Sequence, residues 1–79
     1  MARYYFHLHD QAGITLDQEG VELSQVSQAH VVALKAARAI ISADGQTGHI
    51  DLRSRIEVLD EDGKNVLTLP FTGAVIVNR

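Results

Sequence analysis

The sequence predicts an α+β fold, in which a small antiparallel or mixed sheet of three to four strands packs on one α-helix in ββαββ order. Three observations carry this. Residues 3–9 alternate apolar and polar with period two, the signature of a strand with two unlike faces. Val26, Ala29, Ala33, Ala37, Ile40 and Ile41 recur at spacings of three and four, which is a helical stripe. Asp62-Gly63 separates two apolar runs as a hairpin turn does.

In "RYYFHLHD", residues 3–10, Tyr4, Phe6 and Leu8 form the set that wants a core. Arg3, Tyr5, His7 and His9 form the set that meets water or a partner. Gln11-Ala12-Gly13 predicts a three-residue loop with Gly13 in the left-handed position. That loop sets Leu16 opposite Leu8 and Ile14 on the same side. "DQEG", residues 17–20, predicts a second turn before a short strand gives way to the helix.

Ser24 is the expected N-cap of that helix, which should run over about residues 25–43. Leu34 widens its stripe. Lys35 and Arg38 fall toward the C-terminal end, where the helix dipole favours cations, and Gly45 is the expected stop. "QTGHID" is a polar loop. If Asp62-Gly63 is a type I′ turn, Glu61 pairs with Lys64, Leu59 with Val66, Val58 with Leu67 and Ile56 with Leu69. Ile56, Val58, Leu67 and Leu69 then share one face, and a slip of one residue would turn that set over. Pro70 has no amide proton to donate, so it marks a strand end or an edge. "AVIV", residues 74–77, is a last strand, a flap over the core or an interface segment.

The totals set bounds on function. Seventy-nine residues make a single domain spanning 1–79, near the size at which one core becomes marginal. With no cysteine, neither a disulfide nor a thiolate zinc site can reinforce it, so a second copy of the chain is the expected partner. Apolar residues at 46% and charged ones at 22% argue against disorder. The apolar runs fall well short of the ~18 residues that span a bilayer. No basic segment leads into an apolar one as in a secretory signal, so the expected location is the cytoplasm, away from membranes. The net charge of −3 lacks the basic excess that phosphate binding demands, so nucleic acid is not an expected partner.

His7-x-His9 aims two imidazoles the same way from one strand, as in some metal sites. A metal needs a third ligand, and His30 and His49 are the remaining histidines; nothing in the sequence brings them close. The reading is therefore no cofactor, with His7 and His9 as the candidates should a metal bind. Of Tyr4, Tyr5 and Phe6, Tyr5 alone falls on the face where a base-stacking platform would lie, with Arg3, Arg53 and Arg55 as possible neighbours. Asp60-Glu61-Asp62-Gly63 lacks the spacing of a calcium loop, and Asp17, Glu19 and Glu22 read as a solvated loop edge. No serine sits in a G-x-S-x-G setting and no glycine-rich phosphate loop appears, so the expectation is a protein that is not an enzyme. A sheet with one helical layer leaves its other face open. Tyr5, His7, Arg55 and Leu59 are the expected contact residues there, with Glu57 beside them. They act by packing of that face, or by strand addition at an exposed edge. A further, unidentified protein is a possible second partner. The alternative is a metal- or nucleic-acid-binding module using the His7/His9 face.

Taken in order, "RYYFHLHD", "DQEGVEL", "AHVVALKAARAIIS" and "IEVLDEDGKNVLTLPF" resemble a family of short bacterial proteins of unknown function, found mainly in alphaproteobacteria. Its members typically open Arg-Tyr/Phe-Phe-His, carry Asp-x-Glu-Gly before the helix, and end with an Asp-Glu-x-Gly hairpin leading to a Leu-x-x-Pro-Phe-like segment. Ala2 fits the usual opening and His9 departs from it. The resemblance covers nearly the whole chain and implies a small α/β fold with no assigned activity. The Asp-x-x-Gly turn and alanine-rich helix are also similar to the N-terminal module of HicB-type antitoxins, which implies the masking of a protein partner.

Overall fold

The structure is a computed structural model and describes residues 1–75. The period-two alternation gives β1 (Ala2–Asp10), followed by β2 (Gly13–Thr15) and β3 (Val21–Leu23). Helix α1 (Gln28–Gln46) leads to β4 (Arg55–Leu59) and β5 (Asn65–Pro70), and a 3-10 turn over Phe71–Gly73 follows. Every pairing is antiparallel: β2-β1-β4-β5 in order, with β3 also on β1. The fold is α+β, but the sheet has five strands rather than three or four. The order is βββαββ because Val21–Leu23 forms its own ladder with residues 2–4.

Tyr4 is buried and Phe6 and Leu8 pack against the core from the same face. The first hairpin corrects the expected register. Leu8 lies opposite Thr15, not Leu16, and Asp10 opposite Gly13, so the tip is Gln11-Ala12. The Asp10 carboxylate accepts the Ala12 amide at 2.9 Å, which tightens the tip by one residue. Gly13, at φ +132°, is outside the left-handed helical region. Ile14 consequently pairs with His9 and stands 58% exposed, and Leu16 is 61% exposed.

The helix begins and ends later than expected. Ser24 keeps its side chain at the entrance, but Ser27 holds the cap position. The Gln28 carboxamide oxygen reaches back to accept from the Ser24 amide, the Ser24 hydroxyl and the Gln25 amide at 3.0–3.1 Å. At the other end Gly45 is helical. His49 N–H donates to the Asp44 carbonyl and Gly48 N–H to the Gly45 carbonyl, with Gly48 at φ +79°. This is a Schellman closure, and Gly48 is the residue that supplies the stop. The helix is displaced toward the C-terminus, which leaves Lys35 and Arg38 away from its last turn, and that turn carries no basic residue. Ala29, Ala33 and Ala37 are sealed at 0–1% exposure, and their small size lets α1 approach β4 and β5 closely. Val26 precedes the helix and is exposed.

In the second hairpin Ile56 faces Leu69 and Val58 faces Leu67, so the expected apolar face forms. The tip differs from the expected turn. Gly63 N–H donates to the Asp60 carbonyl and Asp60 N–H to the Lys64 carbonyl, so Asp60 rather than Glu61 opposes Lys64. Leu59 lies opposite Asn65 instead of Val66, and an irregularity between Val58 and Leu59 restores the register below it. Pro70 ends β5. Phe71, which the patterning did not mark, is 1% exposed and is tied by its amide to the Ser54 carbonyl at 2.9 Å. Arg38 Nε donates to the Ala74 carbonyl at 2.9 Å, drawing the chain after the 3-10 turn onto the helix. Of the segment 74–77, Ala74 is buried and residues 76 and 77 lie outside the described residues.

Candidate functional site

Period two sends Tyr5, His7 and His9 to the face of β1 turned away from α1, and the register sets them beside β4. Tyr5 lies opposite Leu59, His7 opposite Glu57 and His9 opposite Arg55. The four residues read from sequence as contacts, Tyr5, His7, Arg55 and Leu59, thus fall on one face of two adjacent strands. Among the described residues no second layer covers that face. Tyr5, His7, His9, Glu57 and Leu59 are half-buried by their neighbours, and Arg55 is exposed.

The hydrogen bonds assign the chemistry of this face. His9 Nε2 is 3.0 Å from Glu57 Oε1, and Arg55 Nη2 is 3.2 Å from His9 Nδ1. A guanidinium can only donate, so Nδ1 accepts from Arg55 and Nε2 donates to the Glu57 carboxylate. Asn65 Nδ2 extends the network to Thr68 Oγ1 at 3.1 Å and to Glu57 Oε2 at 3.4 Å. The His9 hydrogen bond holds the Glu57 carboxyl below the usual carboxylate range, against the opposing pull of desolvation. The Tyr5 and His7 rings lie nearly parallel, 19° apart, with centroids 6.4 Å apart.

His7 leads to a feature that the sequence reading missed. Its Nδ1 accepts the Asp17 amide at 3.0 Å, and the Asp17 carboxylate accepts the Phe6 amide at 3.1 Å and the Gly20 amide at 3.1 Å. Strands β3 and β2 pair with residues 2–4 and 8–10 of β1 and leave a gap between them. Asp17 fills that gap with a side chain where a ladder would place a carbonyl. Burial pushes its carboxyl up, but the amides of Phe6, Gly20 and Glu19 together outweigh it and hold it below its ordinary value. Gly20, at φ +73°, presses on Arg3, the Tyr4 carbonyl and the Tyr5 ring, where a Cβ would come within 2.8–3.0 Å. The signal was present as Asp-x-x-Gly after a strand, but sequence cannot show which amide lacks a partner.

Among the described residues no group of three ligating side chains comes together, so His7 and His9 have no third ligand. His30 sits exposed on α1, and His49 lines a cleft on the helix side of the sheet. The arginines expected near Tyr5 are engaged with acids or with His9. Arg3 bonds Glu22 at 2.7 Å and the Glu19 carbonyl at 2.6 Å, and Arg53 bonds Asp51 at 3.0 Å. No helix is long and apolar enough to cross a membrane among the described residues.

A family model described as "Domain of unknown function (DUF6894)" matches residues 3–72, and the chain belongs to that family. No curated protein and no solved structure matches it.

Proposed function

We propose that this member of the DUF6894 family is a non-catalytic module that acts by protein–protein contact, first with a second copy of itself across the open sheet face. The observation that carries this is the composition of that face. Ile14, opposite His9, stands 58% exposed on the same face as the half-buried Tyr5, His7 and Leu59, and Leu16, just past β2, is 61% exposed. A two-fold axis brings the same patch against itself, and this patch holds Arg55 and Glu57 together, so a copy offers acid to base and base to acid. Tyr5 and Leu59 supply the apolar contact, His7 and Arg55 the polar rim. The small core gives a reason for the association, since burying this face adds to what one chain buries alone.

Sedimentation at micromolar concentration tests it. The expected mass is twice 8.6 kDa. Leu59→Glu, or Ile14→Glu at the more exposed position, should give the single-chain mass with an unchanged helical circular dichroism signal. A parent protein that sediments as one chain overturns the reading.

A further inference from the structure

The open face differs from end to end. Along β4 it runs from Arg55 past Glu57 to Leu59, and along β1 from His9 past His7 to Tyr5. About 13 Å of extended chain separates Arg55 from Leu59. Beyond Leu59 the hairpin tip follows, with Asp60, Glu61 and Asp62.

At the Arg55 end the unspent groups are donors. Arg55 gives Nη2 to His9 Nδ1, and among the described residues no carboxylate pairs with it. His7 Nδ1 accepts the Asp17 amide, so Nε2 carries a proton whether the ring is neutral or charged. That nitrogen has no partner among the described residues, and no sealed side-chain polar atom there lacks one, so Nε2 opens to solvent. The other charges near this end are settled elsewhere. Arg53 pairs with Asp51, and Asp10 lines the cleft on the helix side. Glu57, between the two ends, already holds His9 and faces Asn65.

At the tip three acids stand with one lysine, Lys64. Asp60 takes the Asp62 and Lys64 amides, and Glu61 takes the Arg3 amide. The Asp62 carboxylate is left exposed and, among the described residues, without a partner. The Arg3 guanidinium, the other cation near the tip, is held by Glu22.

Resting on the self-pairing reading above, we propose that the second copy lies with its strands antiparallel to the first, so that Asp62 of each copy meets Arg55 of the other. Two-fold symmetry allows two alignments that keep the strands in line. An axis along the strands sets like ends together, cation over cation and acidic tip over acidic tip. An axis across the strands sets each tip over the other copy's Arg55, twice in one dimer, with Tyr5 and Leu59 near the axis. Opposed like charges penalise the first alignment, and complementary ones fix the second. The His7 donor lies one residue pair nearer the axis, where the same tip passes over it.

The test is a charge exchange read by sedimentation at micromolar concentration. Arg55→Glu sets acid against the tip, and Asp62→Arg sets base against Arg55. Each variant alone should keep the helical circular dichroism signal and raise the dimer dissociation constant by about tenfold or more. An equimolar mixture of the two should recover twice 8.6 kDa, because each chain then meets its opposite at both ends. Arg55→Gln, which keeps a donor for His9 and removes the charge, should weaken pairing as well. A parent that sediments as one chain overturns the self-pairing reading and this orientation with it. A paired parent overturns the orientation alone if the mixture pairs no better than its components, or if Asp62→Arg or Arg55→Gln pairs as tightly as the parent.

Discussion

At the scale of single residues, Asp17 does the work of a missing strand. Asp17→Ala leaves the Phe6 and Gly20 amides without their acceptor, and the expected loss is about 1–3 kcal/mol in urea unfolding. Asp17→Asn keeps an acceptor oxygen and should lose less. Its ionisation also sets a pH dependence. Asp17 and Glu57 both have folded-state values below their ordinary ones. The unfolded chain therefore takes up protons first as acid is added. The stability they contribute is complete above about pH 5 and is lost as pH falls through the folded values, below the ordinary range near 4. Urea midpoints measured from pH 6 to pH 2.5 should fall most steeply below about pH 4, and Asp17→Asn should flatten that slope. The sequence reading placed Asp17 on a solvated edge because an acid between turn residues usually lies there. What it lacked was the interruption between β2 and β3, which exists only once the two short strands have found their partners on β1.

At the scale of elements, the glycines in α1 and just beyond it separate two accounts of where the helix stops. Gly48 is left-handed, and a Cβ there would meet nothing within 4 Å, so Gly48→Ala has a pure backbone cost of about 1–2 kcal/mol. Gly45 has no such conformation, and its Cβ would rest 3.6 Å from Ile50 Cδ1. Gly45→Ala should therefore stabilise the protein, by about 0.5–1 kcal/mol. Paired denaturant curves decide between them, and a stop at Gly45 would reverse the order. The stripe Ala29, Ala33, Ala37 was legible because burial and the 3.6-residue repeat are the same fact. The ends were not, because Ser24 and Ser27 both suit a cap, as Gly45 and Gly48 both suit a stop. The choice fell to the Gln28 side chain and to the His49 amide. The second hairpin teaches the same lesson. The apolar pairs fixed its body, while the Asp60 carboxylate, taking the Asp62 and Lys64 amides at 2.9 Å, fixed its tip.

At the scale of the whole molecule, one helix on one sheet face is what the apolar stripe and the two hairpins could specify together. The open face was legible too, since one strand's alternation names both of its sides. The slip of the first hairpin was not, and it adds Ile14 to that face rather than to the core. If two copies pair there, the melting temperature should rise with protein concentration across a hundredfold range, because dissociation accompanies unfolding. That dependence should vanish in Leu59→Glu. The margins of the sheet carry a separate consequence. Beyond β1 lie strands of three residues each, parted by the Asp17 loop, whereas β5 offers six residues ending in Pro70. Among the described residues, only one side is long enough for a neighbouring chain to extend. A copy added there would leave only short, broken margins outward, so edge pairing by itself would not propagate from copy to copy as a fibril does.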